Sequence, residues 1–208
     1  MKLYIDNEWK LVPNDDPMLR DILRKHDIVI EQLSLIDETA KICLFAQIGH
    51  GTRVGPGVFI GVSSRIGDNC TIKESALLDS STFIGRNTRV GEGTRIYSAS
   101  IGEANDIGCG CTIQCGVSTQ HGCMIGNHVQ IQNGCVLESS VRIREGATVG
   151  RFTRVGYDAS IGNLAIIGDH CHLQANCKVG DEVEIPPFVT VCYGREVRRN
   201  TIGAYNKE

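Results

Sequence analysis

The chain has 208 residues, 24 acidic and 21 basic side chains, a net charge of −3 and an isoelectric point near 6.1. That balance gives no general attraction to nucleic acid or to an anionic lipid surface. No basic-then-apolar leader opens the chain and no apolar run reaches the length of a membrane span, so a soluble, cytoplasmic protein with a single main domain is expected.

Residues 1–35 read as a small N-terminal α/β cap. Asp15, Asp16 and Pro17 look like a helix start leading into Met18, Leu19, Ile22 and Leu23 at helical spacing. Ile28, Val29, Ile30, Leu33 and Leu35 then read as an extended approach to the next segment.

Residues 36–193 carry a six-residue rhythm. Starting at Ile36, an aliphatic residue recurs every sixth position through Ile96, and after one five-residue step to Ile101 the count resumes through Val191. Of the 27 positions so counted, 26 are Ile, Leu or Val, and Thr119 alone departs. A helix recurs near 3.6 residues and a strand near 2, so a period of six calls for a short strand followed by a tight turn. Gly follows the aliphatic residue 14 times, where the backbone needs unusual dihedral angles or close approach. The fourth residue after the aliphatic is usually small, as at Thr52, Ser64, Thr82, Thr88, Thr94 and Thr153. Cys70, Cys111, Cys123, Cys135, Cys171 and Cys177 share that slot, where a reduced thiol acts as a compact apolar group. The runs Cys109-Gly-Cys111 and His170-Cys-His172 invite a metal reading, but alternate strand residues face opposite sides and paired C-x-x-C spacing is absent, so no metal is expected. Residues 194–208 are polar and read as a C-terminal tail or intersubunit arm.

This rhythm resembles the hexapeptide-repeat, left-handed parallel β-helix superfamily, in which three hexads make one triangular coil. The resemblance implies an all-β fold of about nine coils, stacked at about 4.8 Å into a prism roughly 43 Å long. Residues 18 apart then lie above one another. One corner column holds His50, Asp68, Arg86, Glu103, His121, Ser139, Tyr157, Ala175 and Tyr193, whose alternating charges stack favourably.

Within that column, Ser118–Leu137 (STQHGCMIGNHVQIQNGCVL) is similar to the stretch that carries the catalytic histidine of UDP-N-acetylglucosamine acyltransferases and related sugar N-acetyltransferases. The run Ile96-Tyr-Ser-Ala-Ser-Ile101-Gly-Glu and the motif Ile185-Pro-Pro-Phe resemble two further segments of that family. The resemblance implies His121 as a general base that deprotonates an amine or hydroxyl for attack on an acyl thioester. A neutral imidazole, titrating near pH ~6.5, suits that task. Glu103, one coil away in the same column, is placed to orient the ring. Arg53, Arg89 and Arg142 recur on one outer face and are candidates for binding coenzyme A phosphates or an acidic helix of an acyl carrier protein. Acetyl-CoA or an acyl-carrier-protein thioester would be co-substrate, and a sugar nucleotide or similar small molecule the acceptor. A homotrimer is implied because the family's active sites lie between neighbouring prisms.

The sequence departs from the family's pattern in three respects. The acidic residue that often follows the catalytic histidine is Gly122 here, and the long substrate-binding loop and the helical C-terminal domain have no counterpart. A non-catalytic β-helix serving as scaffold or assembly subunit is therefore the alternative reading. A γ-class carbonic anhydrase-like metalloenzyme shares the fold and the His-Gly-Cys run, but its two further histidine ligands would fall at Gly116 and near Ser80.

Overall fold

Each hexad folds as a two-residue strand and a four-residue corner, as at Arg53–Val54 followed by Phe59–Ile60. Along the 36–191 rhythm the first strand residue faces outward and the second faces the core. The computed structural model describes residues 1–5, 8–11, 18–31 and 34–199. Their strands form three parallel sheets, the triangular left-handed β-helix of about nine coils that the family resemblance implies. We number the sheets in the order the chain visits them. Sheet one contains Lys41–Ile42 and has eleven strands, sheet two contains Gln47–Ile48 and has ten, and sheet three contains Arg53–Val54 and has ten. The interior is a continuous apolar column, in which Ile42, Ile60, Leu78, Ile96, Ile113 and Ile131 of sheet one are all fully buried.

The shortened step falls at the corner from sheet one to sheet two, at Tyr97–Ser98–Ala99. Pairing stays in phase across it, with Phe83 opposite Ser100 and Ile84 opposite Ile101. His121 lies at a different corner, from sheet two to sheet three, so the short step does not shape the histidine's own corner directly.

At the N-terminus a helix covers Leu19–Lys25, with Ile22 and Leu23 packed on the core. The proposed start at Asp15–Pro17 lies outside the described residues, as does Leu33. An antiparallel hairpin precedes the helix: Lys2–Ile5 pairs with Glu8–Leu11, and its first strand adds in parallel to Lys41–Ile42. Leu3, opposite Ile42, is fully buried, so this hairpin continues the apolar column past the hexad rhythm. Coil-type strands also occur at Val29–Ile30, and at Glu196–Val197 with Val197 buried.

Two kinds of glycine resolve the role of that residue. Those following the aliphatic position, such as Gly91, have no positive φ; a Cβ there would lie 2.3 Å from the Gly108 carbonyl oxygen of the next coil. Close approach is what they permit. Positive φ falls two residues later in the corner, at nine glycines and also at Asn, Ser, His128 and His170.

The small interior slot is a donor position. Thr52, Thr88 and Thr94 hydroxyls donate to the carbonyls of Gly67, Gly102 and Gly108, and Cys70, Cys111, Cys123, Cys135 and Cys171 thiols do likewise to Gly85, Gly126, Glu138, Gly150 and Pro186. Each satisfies a corner carbonyl that the sheets leave over. Burial pushes the thiols of Cys70, Cys111, Cys123 and Cys171 above their ordinary range, and those of Cys135 and Cys177 up to about 11. Cys115 and Cys192 are exposed and Cys109 is half-buried. Alkylation of the native protein, followed by peptide mass spectrometry, is therefore expected to modify Cys115 and Cys192 well before the seven buried thiols. Comparable rates at Cys123 or Cys135 would contradict the interior assignment.

Candidate functional site

The corner column assembles as a ladder. The His50 backbone N–H donates to Asp68 Oδ1 at 2.8 Å, Arg86 Nε meets Glu103 Oε2 at 2.8 Å, and His121 Nδ1 lies 3.0 Å from Ser139 Oγ. His121 is exposed, and Ser139 above it is buried. Glu103, below it, directs its bonded oxygen to Arg86, while the ring's own partner is Ser139 on the opposite side. No hydrogen bond among the described residues engages His121 Nε2. Ser139 Oγ in turn donates to Gln120 Oε1 at 2.9 Å, giving a line of three polar side chains.

Beneath the corner lies a buried polar cluster. Asn105 occupies the small donor slot and is 1% exposed, and Thr119 occupies the aliphatic position and is 4% exposed. Asn105 Nδ2 donates to the Gln120 carbonyl at 2.9 Å and to Thr119 Oγ1 at 3.1 Å; its Oδ1 accepts the Cys123 N–H at 2.7 Å. The Asn105 N–H is itself directed at Thr88 Oγ1, 3.3 Å away. One buried amide thus holds the backbone on both sides of His121 and Gly122. Neither Asn105, Gln120 nor Ser139 stood out in the sequence as a site residue. The signal was present at Thr119, the single break in the aliphatic count, and at Asn105, an amide in a slot that from Ala40 to Val189 otherwise holds Ala, Ser, Thr, Cys or Val.

Arg53, Arg89 and Arg142 share the outer face of sheet three, with Arg53 and Arg89 two coils apart and Arg142 three coils beyond. Arg89 and Arg142, with Lys73 and Arg144, line a shallow groove of about 770 Å³ that also includes Met124, three residues after His121. Arg53 lines the adjoining groove with Lys73. Arg142 Nη1 also contacts Asp158 Oδ1 at 3.4 Å. His121 lines neither groove. His128 lies at the next corner, from sheet three to sheet one, and His170 stacks between Phe152 and Phe188 with centroid distances of 5.2 Å on each side. Cys171 points into the core while His170 and His172 face outward, and no three His, Cys, Asp or Glu side chains converge among the described residues.

Comparison with solved structures places this architecture. The UDP-N-acetylglucosamine acyltransferase of Francisella novicida superposes with a TM-score of 0.57 at 19% identity, over 79% of this chain and 64% of that one. The UDP-N-acetylglucosamine acyltransferase of Bacteroides fragilis gives 0.46 at 24% identity, over 82% and 67%. The chain shares the β-helix fold of the Francisella protein and spans just under two thirds of its length. No protein-family model matches the chain, and no curated protein does so. No helix among the described residues is long and apolar enough to cross a membrane.

Proposed function

We propose that the protein is an acyltransferase, moving an acyl group from a coenzyme A or acyl-carrier-protein thioester to an amine or hydroxyl of a sugar nucleotide or similar small acceptor. The observation that carries this reading is His121: an exposed imidazole held at Nδ1 by Ser139 at 3.0 Å, with no hydrogen bond to Nε2 among the described residues. The ring removes the acceptor's proton as its oxygen or nitrogen attacks the thioester carbonyl; the thiol leaves, taking the proton back from the imidazolium. Arg53, Arg89 and Arg142 offer cations to the donor's phosphates or to an acidic carrier helix. The corner is open on the single chain, and in this reading a neighbouring prism of a homotrimer supplies the other wall.

The test is release of free thiol from acetyl-CoA and longer acyl thioesters with a panel of amino sugars and sugar nucleotides. His121→Ala is expected to lower turnover by about 10²–10⁴-fold with its fold intact. No turnover with any donor would favour the scaffold reading, and unchanged turnover in the variant would remove His121 from the chemistry.

A further inference from the structure

We infer that Ser139 and Gln120 hold His121 as its Nδ1–H tautomer, so that Nε2 is the basic atom of the corner. The role of that atom rests on the acyl-transfer reading above; the tautomer itself rests on proton accounting. A serine hydroxyl carries one hydrogen. Ser139 Oγ sits 2.9 Å from Gln120 Oε1 and 3.0 Å from His121 Nδ1. If its hydrogen goes to Gln120, the bond to the ring can form only with Nδ1 as donor.

The orientation of the Gln120 amide therefore decides the matter, and the repeat answers it. At the same corner position, immediately before the column, Glu138 and Gln174 both reach up to the corner residue one coil above. Glu138 accepts the Tyr157 N–H at 3.0 Å, and Gln174 Oε1 accepts the Tyr193 N–H at 2.9 Å. Glu138 has only oxygens to offer, so the position is an acceptor position. Gln120 reaches in the same way toward residue 139, where the hydrogen it receives is the hydroxyl's.

The alternative, Ser139 donating to the ring, would leave the Gln120 oxygen facing the hydroxyl oxygen at 2.9 Å with no hydrogen between them. The backbone beneath Gln120 is pinned. Gln120 N–H donates to Leu137 at 2.8 Å and its carbonyl accepts from buried Asn105 at 2.9 Å. Because the imidazolium also carries a hydrogen on Nδ1, the bond to Ser139 persists through proton uptake at Nε2, and nothing at that end of the ring reorganises. Ser139 and Gln120 are thus positioning residues, acting through His121.

The experiment is a long-range ¹H–¹⁵N correlation spectrum of the full-length protein at a pH where the ring is neutral, with His121 assigned by comparison with His121→Ala. Wild type is expected to show Nδ1–H at His121, Gln120→Glu to keep it, and Ser139→Ala to revert toward the Nε2–H form that a free imidazole prefers. Thermal melts check that the variants fold; Ser139→Thr retains the hydroxyl and is expected to retain the tautomer. In turnover assays Ser139→Ala is expected to lower kcat about tenfold with KM little changed. An Nε2–H ring in wild type, or an unchanged tautomer in Ser139→Ala, would overturn the inference. A wild-type protein with the Nδ1–H spectrum but no thioester turnover would instead sink the acyl-transfer reading and leave the tautomer standing.

Discussion

Gly91→Val is expected to destabilise the protein by about 3–5 kcal/mol, among the largest effects of any single substitution outside the core. A Cβ at this position would lie 2.3 Å from the Gly108 oxygen, 2.4 Å from its carbonyl carbon and 2.6 Å from the Cys109 nitrogen. All three are backbone atoms of the next coil, so no side-chain rotation relieves the clash. The coils must separate, which strains the Gly91 N–H to Ile107 bond at 2.8 Å and the Arg89–Asp106 pairing beside it. In a stack where each coil touches only its neighbours, parting one interface divides the whole into two shorter blocks. Gly93→Ala is the control. Gly93 has φ 63° with nothing within 4 Å of a built Cβ, so only the left-handed conformation is penalised, at about 1 kcal/mol. Urea unfolding of both variants decides: equal losses would mean that the glycines after the aliphatic serve conformation rather than close approach.

The core was legible because its signal is one-dimensional. Every counted position from Ile42 to Val191, across the one five-residue step, is buried, and the slot four residues on is filled as the rhythm implies, down to the thiols. The ends were less legible. Leu3 is buried by strand addition to Ile42, a long-range pairing that a two-residue alternation in a short hairpin signals only weakly. The site was legible by column but not by partner. Stacking placed Glu103 and Ser139 equally close to His121, and only side-chain geometry puts Ser139 on the ring and Arg86 on Glu103. The Asn105 cluster was written in the exceptions: a polar residue at an aliphatic position is costly unless a second buried polar group answers it, and here the answer is Asn105.

That reciprocity makes the second large effect testable as a cycle. Asn105→Leu keeps the number and branching of heavy atoms and removes the acceptor for the buried Cys123 N–H, the donor to the Gln120 carbonyl and the partner of Thr119 Oγ1. Stranded groups of this kind cost about 1–3 kcal/mol each, so a loss on the order of 4 kcal/mol is expected in urea unfolding. Thr119→Val alone is also expected to destabilise, by about 1 kcal/mol, because it takes an acceptor from Asn105 Nδ2 while restoring an aliphatic side chain. Asn105→Thr should cost less than Asn105→Leu. In other hexads of the stack Thr52 and Thr94 fill the corresponding slot and do both jobs, donating to Gly67 and Gly108 and accepting the N–H of Cys70 and Cys111. Combined with Thr119→Val, the coil becomes an ordinary one. Each polar residue is present because of the other, so the double variant is expected to be more stable than the sum of its single changes by roughly 1 kcal/mol or more. Strict additivity would show that Asn105 and Thr119 are independent, and that the amide serves only the backbone on either side of His121.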